Sequence, residues 1–530
     1  MKNSPILKRA QGESCKVAVL GYGVSNRPLV EWLLAHGISP AQLTVRDRRE
    51  PGELAASGDA TRLRALGVPV ISGAGYLAGL DGTGVIFRTP GIRPDLPALA
   101  AAVAHGACLT SEMELFLELT EAAVLGVTGS DGKTTTTTVA SLLVADYLQR
   151  RGYGRMYLGG NIGTPLLPLV DEMTADDVAV LELSSFQLMT MRRSPDRAAV
   201  TNLSPNHLNW HTDMAEYRAA KANICTHMRS ADPLCGAVLN AENPDTRALG
   251  LSLPPEVPVT WFSSAVSGWK RVVPPERQGG GTRDSAVFAV GGTVRSETRA
   301  EGYDLLDVSR IRLPGRHNLE NFMTALALCG GLIPPEELAA SAGAVADRFD
   351  GVAHRLELVA DCGGIRFYNS SIDSSPTRTC AALAALAALR EKEQAAGHPV
   401  RKPTVICGGQ DKHLSFAPLA EALCAGAAAV ILTGEAREQI RTALYACPDF
   451  SPAVLPVRVI PDWDEAMETA CREAIPGDTV LLSPACTSFD AFRNFAERGE
   501  RFRTIVRQVT GTGTGKETYK NRQRNTEKEG

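Results

Sequence analysis

Residues 122–150 read AAVLGVTGSDGKTTTTTVASLLVADYLQR. The apolar, β-branched run over 122–128 predicts a buried strand, and a glycine-rich turn follows over 129–134. Apolar residues then recur at helical spacing: Val139, Leu142, Leu143, Tyr147 and Leu148. Strand, turn and helix in that order make a phosphate site, because glycines let backbone N–H groups approach an anion and the helix end adds partial positive charge. Gly129, Ser130, Asp131, Gly132 and Thr135 are expected to cradle ATP, with Lys133 reaching the β- and γ-phosphates and the Thr134 hydroxyl placed for Mg2+. The longer form of this motif would need a glycine where Val127 stands, so the match is to the shorter core GxxGKT.

A chain of 530 residues exceeds what one hydrophobic core organises, and three domains are expected. Hydrophobic residues make up 44% and charged residues 22%, with a formal net charge of −4, so no basic excess points to nucleic acid. The 12 cysteines include no CxxC pair, which fits thiols in a reducing compartment. Residues 1–13 read as a polar leader unlike a signal peptide, and no apolar run is long enough to span a membrane. The expectation is a cytoplasmic, monomeric enzyme acting on small molecules, without nucleic-acid partner or membrane insertion.

Upstream of the glycine-rich turn, strand-like runs at 17–20, 43–45 and 84–87 alternate with a helical pattern at 29–36, a Rossmann-like opening. The first run leads into Gly21-Tyr22-Gly23-Val24-Ser25-Asn26, the second into Arg46-Asp47-Arg48, the third into Arg88-Thr89-Pro90-Gly91-Ile92. Asn26 replaces the third glycine of a dinucleotide fingerprint, so NAD is not expected. Downstream, 159–165 reads GGNIGTP, a turn suited to phosphate or substrate and equally to a plain loop. The core strand at 178–181 ends in Glu182, and a carboxylate there is costly unless paired or bound to a cation, which makes it a Mg2+ ligand candidate. His207 and His211 share a polar loop and read as a general base, as metal ligands or as structural residues. Lys221, on the helical pattern 214–227, reads as solvated by default, and 263–301 reads as an insertion or long hairpin. Runs at 404–407, 429–432, 457–460 and 479–482 predict a second doubly wound sheet with its ligand edge at the following loops. The tail, 511–530, is almost without apolar residues and is expected to be disordered.

Taken together, GGNIGTP at 159–165, ELSSFQL at 182–188, YRAAK at 217–221, LPGRHNLEN at 313–321 and SPACTSFDAFRNFAERG at 483–499 resemble the Mur ligase family. The resemblance implies an α/β chain of three domains: a Rossmann-like UDP-substrate domain at 1–119, a central P-loop ATPase-type domain at 120–350 and a C-terminal Rossmann-like glutamate-binding domain at 351–510. The activity it implies is ATP-dependent addition of D-glutamate to UDP-N-acetylmuramoyl-L-alanine through an acyl phosphate, within peptidoglycan precursor synthesis. Carried over by position, Gly23, Val24 and Ser25 would hold the UDP moiety, with Asp47 near the uracil–ribose and Thr89, Pro90 and Gly91 at the diphosphate. Asn161 would meet the muramoyl part, and Asn318 and Arg355 the nucleotide. Two Mg2+ ions are implied, one at Thr134 and one at Glu182 and His207, with Lys221 carbamylated and so turned into an anionic ligand. Lys412, Ser488 and Phe495 would receive glutamate, with Ser374 a further candidate.

Two departures stand out. Asn206 and Asn209 flank His207 where the family has acids, and the family's Asp-Ser-Lys-x-Thr stretch reads Ser370-Ser371-Ile372-Asp373-Ser374, lacking both acid and lysine. Either Asp373 and Arg378 compensate or the contacts of that loop are rebuilt. Two other readings stay open on residues alone: a folylpolyglutamate-synthase-like ligase, against which the GYGVSN domain argues, and a nucleotide-binding regulator without ligase activity.

Overall fold

The computed structural model describes residues 4–205, 210–279, 283–313, 315–395, 397, 400–411 and 414–511. His207 and Lys412, together with Asn206, Asn209 and the tail from 512, lie outside the described residues. The chain divides into two compact units: one comprises Met1–Ile311 with Arg316–Arg348, the other Arg312–Gly315 with the residues from Phe349 onward.

The first unit holds two sheets. The amino-terminal one consists of β1 Lys16–Leu20, β2 Leu43–Asp47, β3 Val70–Ser72, β4 Thr83–Arg88 and β5 Cys108–Thr110, in the order β3-β2-β1-β4-β5. Every pairing in it is parallel. The order reverses between β1 and β4, and a crevice opens at such a switch point beyond the carboxyl ends of the strands. The loops 21–26 and 89–93 leave β1 and β4 there.

The central sheet consists of β6 Ala123–Thr128, β7 Met156–Gly160, β8 Val178–Glu182, β9 Arg197–Val200, β10 Gly236–Asn240, β11 Val259–Ser263, β12 Ser285–Val290, β13 Thr293–Glu297 and β14 Gly302–Asp307. Its order is β14-β13-β12-β11-β10-β9-β6-β8-β7. β6 lies between β8 and β9, so the glycine-rich turn emerges between the exits of two neighbours that carry Glu182 and Thr201-Asn202. The strands β6, β8, β9 and β10 are buried along almost their whole length and carry continuous apolar runs rather than alternating ones.

Two expectations need correction. The stretch read as an insertion is part of this sheet: β12 continues the parallel ladder beside β11, and β13 and β14 add an antiparallel hairpin extension. Its hairpin character is real, with Gly291 and Gly292 at positive φ in the turn between β12 and β13. The polar leader contains a helix, Pro5–Ala10, capped by Ser4, which buries Ile6, Leu7 and Ala10. The Ser4 hydroxyl donates to Glu118 Oε2 at 2.5 Å. Six residues are too few for helical periodicity to stand out against flanking polar residues.

The second unit is built on β15 Glu357–Cys362, β16 Ile365–Asn369, β17 Pro403–Gly408, β18 Ala429–Thr433, β19 Val457–Val459 and β20 Thr479–Ala485, in the order β15-β16-β20-β17-β18-β19. β15 is antiparallel to β16, and the remaining pairings are parallel. The exits of β16, β20 and β17 are therefore adjacent, and the loops 370–375, 486–490 and 409–411 share one edge.

Candidate active site

The glycine-rich turn is held open from outside. Gly129 and Gly132 have φ of +146° and +79°, and a side chain would run into Thr201 at the first and Asn321 at the second. The Ser130 N–H donates to Asn202 O at 2.9 Å and the Asp131 N–H to Asn202 Oδ1 at 3.0 Å, while Thr201 Oγ1 donates to Asp131 O at 2.6 Å. Lys133 Nζ lies back over the turn, donating to Gly129 O at 2.9 Å and Ser130 O at 3.0 Å. Lys133 also opens the helix Lys133–Arg151, whose first turn carries half-buried Thr134 and buried Thr135. Asn318, near the start of the helix Arg316–Cys329, accepts from Asn321 Nδ2 at 3.4 Å, and Asn321 Oδ1 accepts from Thr136 Oγ1 at 3.3 Å. The two helix beginnings thus converge at this turn, a ready anion site.

Beside it lies a buried ionisable pair. Glu182 closes β8, opposite Val127 of β6 and Gly160 of β7, and is 1% exposed. Its Oε1 accepts from Asn161 Nδ2 at 2.7 Å, whereas Oε2 has no hydrogen-bond partner among the described residues. Lys221, on the helix Met214–Thr226, is 2% exposed, so its reading as a solvated residue is overturned. Its Nζ donates to Thr128 Oγ1 at 3.2 Å and lies 5.0 Å from the Tyr217 ring centroid. Burial first, and then the charge of Lys133, push the Lys221 amine well below the ordinary lysine pKa, favouring the neutral form. Tyr217 reaches the glycine-rich turn through a 2.9 Å hydrogen bond between its hydroxyl and Ser130 Oγ.

These residues suit a cation. Among the described residues no three of His, Cys, Asp or Glu converge to hold a metal. Mg2+ asks for less, since it is usually bound by one or two carboxylates together with substrate phosphates and water. A buried carboxylate oxygen without a donor, on the strand beside the phosphate turn, meets that requirement.

In the amino-terminal sheet the two switch-point loops pack on each other, and a side chain at Gly21, whose φ is +80°, would strike Thr89. Asp47 is turned into the first loop, accepting from the Tyr22 N–H at 2.7 Å and from the Arg49 N–H and Nε at 2.9 and 3.0 Å. Burial alone would raise its pKa, but the hydrogen bonds from Arg49 and Tyr22 hold it below the usual carboxylate value. Around it Val24 is 75% exposed, Gly23 is exposed and Ser25 is half-buried. Buried Arg88 shapes the other loop: its guanidinium donates to Pro90 O at 2.9 Å, and to Phe186 O and Thr190 Oγ1 at 3.0 and 3.1 Å. Sequence reasoning passed over Arg88, although a charge at the exit of an apolar strand is the same signal that marks Glu182.

In the second unit Arg498 is the organiser that sequence reasoning missed. Fully buried on the helix Phe495–Thr510, it donates to Ser371 Oγ and O at 3.1 and 2.9 Å, and to Cys486 O and Thr487 O at 3.1 Å each. Burial brings its pKa down to about 10. Ser371 Oγ in turn donates to Phe495 O at 2.7 Å. The structure therefore brings the Ser374 loop, buried Ser488 and part-exposed Phe495 to one edge. Asp373 is buried there, accepting from Ser483 Oγ at 2.8 Å. Burial raises its pKa, against hydrogen bonds from Ser370 and Ser483 and the charges of Arg378 and Arg355. Arg355 follows His354, and His354, Leu356 and Ala485 hold positive φ of 64°, 45° and 62° at this same end of the sheet. Such strain in residues other than glycine is kept where the surroundings over-determine it.

A P-loop beside a buried carboxylate and a buried lysine is the arrangement of a nucleoside-triphosphate site. The sequence matches the Mur ligase middle domain over residues 127–329 and the Mur ligase glutamate ligase domain over 354–486. It is 38% identical over 496 residues to a UDP-N-acetylmuramoylalanine--D-glutamate ligase of Ruminiclostridium cellulolyticum, covering 93% of this chain and 97% of that protein. It is 39% identical over 496 residues to the enzyme of the same name from Acetivibrio thermocellus, covering 93% and 96%. The crystal structure of UDP-N-acetylmuramate-alanine ligase MurC from Thermotoga maritima is similar in fold, with TM-score 0.50 and 17% identity, over 93% of this chain and 99% of that one. The chain belongs to the Mur ligase family and is an ATP-dependent amide ligase.

The orphaned Glu182 oxygen yields a prediction. Glu182→Gln replaces a buried charge by a neutral isostere, so in metal-free buffer the variant should unfold within about 1 kcal/mol of the parent or be the more stable of the two. Adding Mg2+ with ADP should raise the melting temperature of the parent clearly more than that of the variant. Equal shifts, read by thermal denaturation, would show that Glu182 takes no part in holding the cation.

Proposed function

We propose that this ligase adds D-glutamate to UDP-N-acetylmuramoyl-L-alanine with cleavage of ATP to ADP and phosphate, in the cytoplasm, as a step of peptidoglycan precursor synthesis. The observation that carries the reading is the group of half-buried Lys133 with buried Glu182 and Lys221 at the phosphate turn, in a chain whose relatives of that name match along nearly its whole length. In this reading 1–119 binds the UDP-substrate, 120–350 binds ATP and 351–510 binds glutamate.

Gly23, Val24 and Ser25, with Thr89, Pro90 and Gly91, flank the switch-point crevice and hold the UDP moiety; the backbone that Arg88 arranges faces the diphosphate. Asp47 shapes that crevice through the Tyr22 N–H. The P-loop backbone from Gly129 to Gly132, with Lys133 and Thr135, binds the ATP phosphates, and Lys133 leaves the Gly129 and Ser130 carbonyls to neutralise charge on the transferred group. The Ala carboxylate attacks the γ-phosphorus, forming an acyl phosphate and releasing ADP. The glutamate amine then attacks the acyl carbon, the C–O bond to phosphate breaks, and the amide forms. Lys412, Ser488, Phe495 and Ser374 are the candidates for holding glutamate. Asp373, hydrogen-bonded to Ser370 and Ser483, supplies the acid that the 370–374 loop lacks at its first position.

The residues that would hold Mg2+ are Thr134, Glu182 and His207, with Lys221 if carbamylated, and the ions would supply charge neutralisation at the phosphates. A neutral amine is the form that adds CO2, and the depressed basicity of Lys221 provides it. The carbamate would put an anion in place of a neutral amine near Lys133, adding a favourable pairing where an ammonium would have been repelled.

Phosphate release from ATP and Mg2+ should require both UDP-N-acetylmuramoyl-L-alanine and D-glutamate. Release with L-glutamate instead would overturn the stereochemistry, and release with neither would overturn the reaction. Lys221→Ala should lose turnover by about a hundredfold or more, an effect of the size expected for a misplaced transition-state ligand. Short-chain carboxylates should restore part of it. Parent-like rates in that variant would rule out a catalytic carbamate.

A further inference from the structure

Arg93 stands outside every role assigned so far, yet it ties the two sheets of the first unit together through several hydrogen bonds. It leaves the loop after β4, two residues beyond Gly91. Its Nε and Nη2 donate to Asp95 of the same loop, each at 2.8 Å. Nη2 also donates to Glu216 Oε1 at 2.8 Å, and Nη1 donates to Glu216 Oε2 at 3.3 Å and to Trp210 O at 2.5 Å. The guanidinium lies 5.0 Å from the Trp210 ring centroid.

Glu216 sits in the first turn of the helix Met214–Thr226, the helix that carries Tyr217 to the P-loop and Lys221 to Thr128. Its Oε2 also accepts from the Thr212 N–H at 2.9 Å and faces His211 Nδ1 at 3.2 Å. The other nitrogen of His211 meets Ser185 Oγ at 2.9 Å, three residues beyond Glu182. Ser185, His211 and Glu216 are thereby spaced like a hydrolytic triad, but the serine is buried at 2% exposure and offers no nucleophile to a substrate. The chain of contacts is a brace. It joins the exit of β4, the amino end of the Lys221 helix and the exit of β8.

We propose that Arg93 is a positioning residue for phosphoryl transfer, which fixes the nucleotide-sugar loop 89–91 in register with Lys221 and Glu182 through Glu216 and His211. The inference rests on the substrate assignment proposed above. An exposed ion pair would contribute little. Arg93 and Glu216 are each 21% exposed at the side chain and doubly hydrogen-bonded to each other, and each is also held by backbone, Arg93 donating to Trp210 O and Glu216 accepting from the Thr212 N–H, so the geometry of the pair is specified. Near-attack geometry is where such fixing matters, because a displacement of about 1 Å costs on the order of a hundredfold in rate.

The test compares the full-length parent with Arg93→Met, Glu216→Gln and the double variant, reading kcat, the KM for UDP-N-acetylmuramoyl-L-alanine and for ATP, ADP affinity and the melting temperature. Each single variant should lose about tenfold or more in kcat at saturating substrates, with ADP affinity and ATP KM within about twofold of the parent. The double variant should fall no further than the worse single one, since both remove the same link. Arg93→Lys, which keeps the charge but not the fork, should lie between parent and Arg93→Met, and it carries the test if Arg93→Met does not fold. Turnover by the parent establishes the substrate assignment independently. A lowered melting temperature with kcat intact, or an equal loss of ADP affinity and kcat, would overturn the positioning role.

Discussion

Water is excluded from Glu182 and Lys221, and much of the central architecture follows from placing two ionisable side chains there. A carboxylate or ammonium taken out of water is costly unless it is paired, neutralised or bound to an ion. Here the amine is driven toward neutrality and one carboxylate oxygen lacks a donor among the described residues. A fold that only needed stability would gain by replacing both with apolar residues. Glu182 at the exit of a buried strand and Lys221 on the buried face of the helix Met214–Thr226, both beside the P-loop and with Asn161 already fixing one side of the carboxylate, make the arrangement of a site prepared for charge that arrives with its substrates.

The same solution appears in each sheet. β1 with β4, β6 with its neighbours β8 and β9, and β16 and β17 on either side of β20 all leave adjacent loops at the carboxyl ends of parallel strands. Each loop is then shaped by a buried side chain that donates to carbonyls: Arg88 at 89–92, and Arg498 at 371 and 486–487. Thr201 and Asn202 do the corresponding work at the P-loop. Arginine suits the task, since its fork satisfies several carbonyls at once and its charge persists under burial.

Much of this was legible in the sequence. Continuous apolar runs located β1, β2, β4, β6, β8 and β17 to β20, whereas β3, β5, β7, β10, β11 and β16 went unread; the turn at 129–134 and the acid at 182 stood out because both are anomalies in an apolar context. Lys221 was legible too: Tyr217, Lys221 and Ile224 share a helix face, and all three are buried. A default preference for solvated lysines concealed it. Arg93 and Arg498 were not legible, since their partners are carbonyls and acids remote in sequence and only the folded chain brings them together. Asp47 was legible by position but not by partners. Its position fits a ribose contact, and only the folded chain shows that its carboxylate also accepts from Tyr22 and Arg49.

The central claim is that the chain activates a carboxylate by phosphorylating it. The direct measurement uses UDP-N-acetylmuramoyl-L-alanine labelled with 18O in the alanine carboxylate, turned over with ATP, Mg2+ and D-glutamate, followed by mass analysis of the inorganic phosphate. Attack by the carboxylate on phosphorus and later cleavage of the C–O bond predict one labelled oxygen in each phosphate released. Phosphate free of label, formed in step with the amide, would contradict the acyl phosphate and with it the role given to the buried lysines and Glu182.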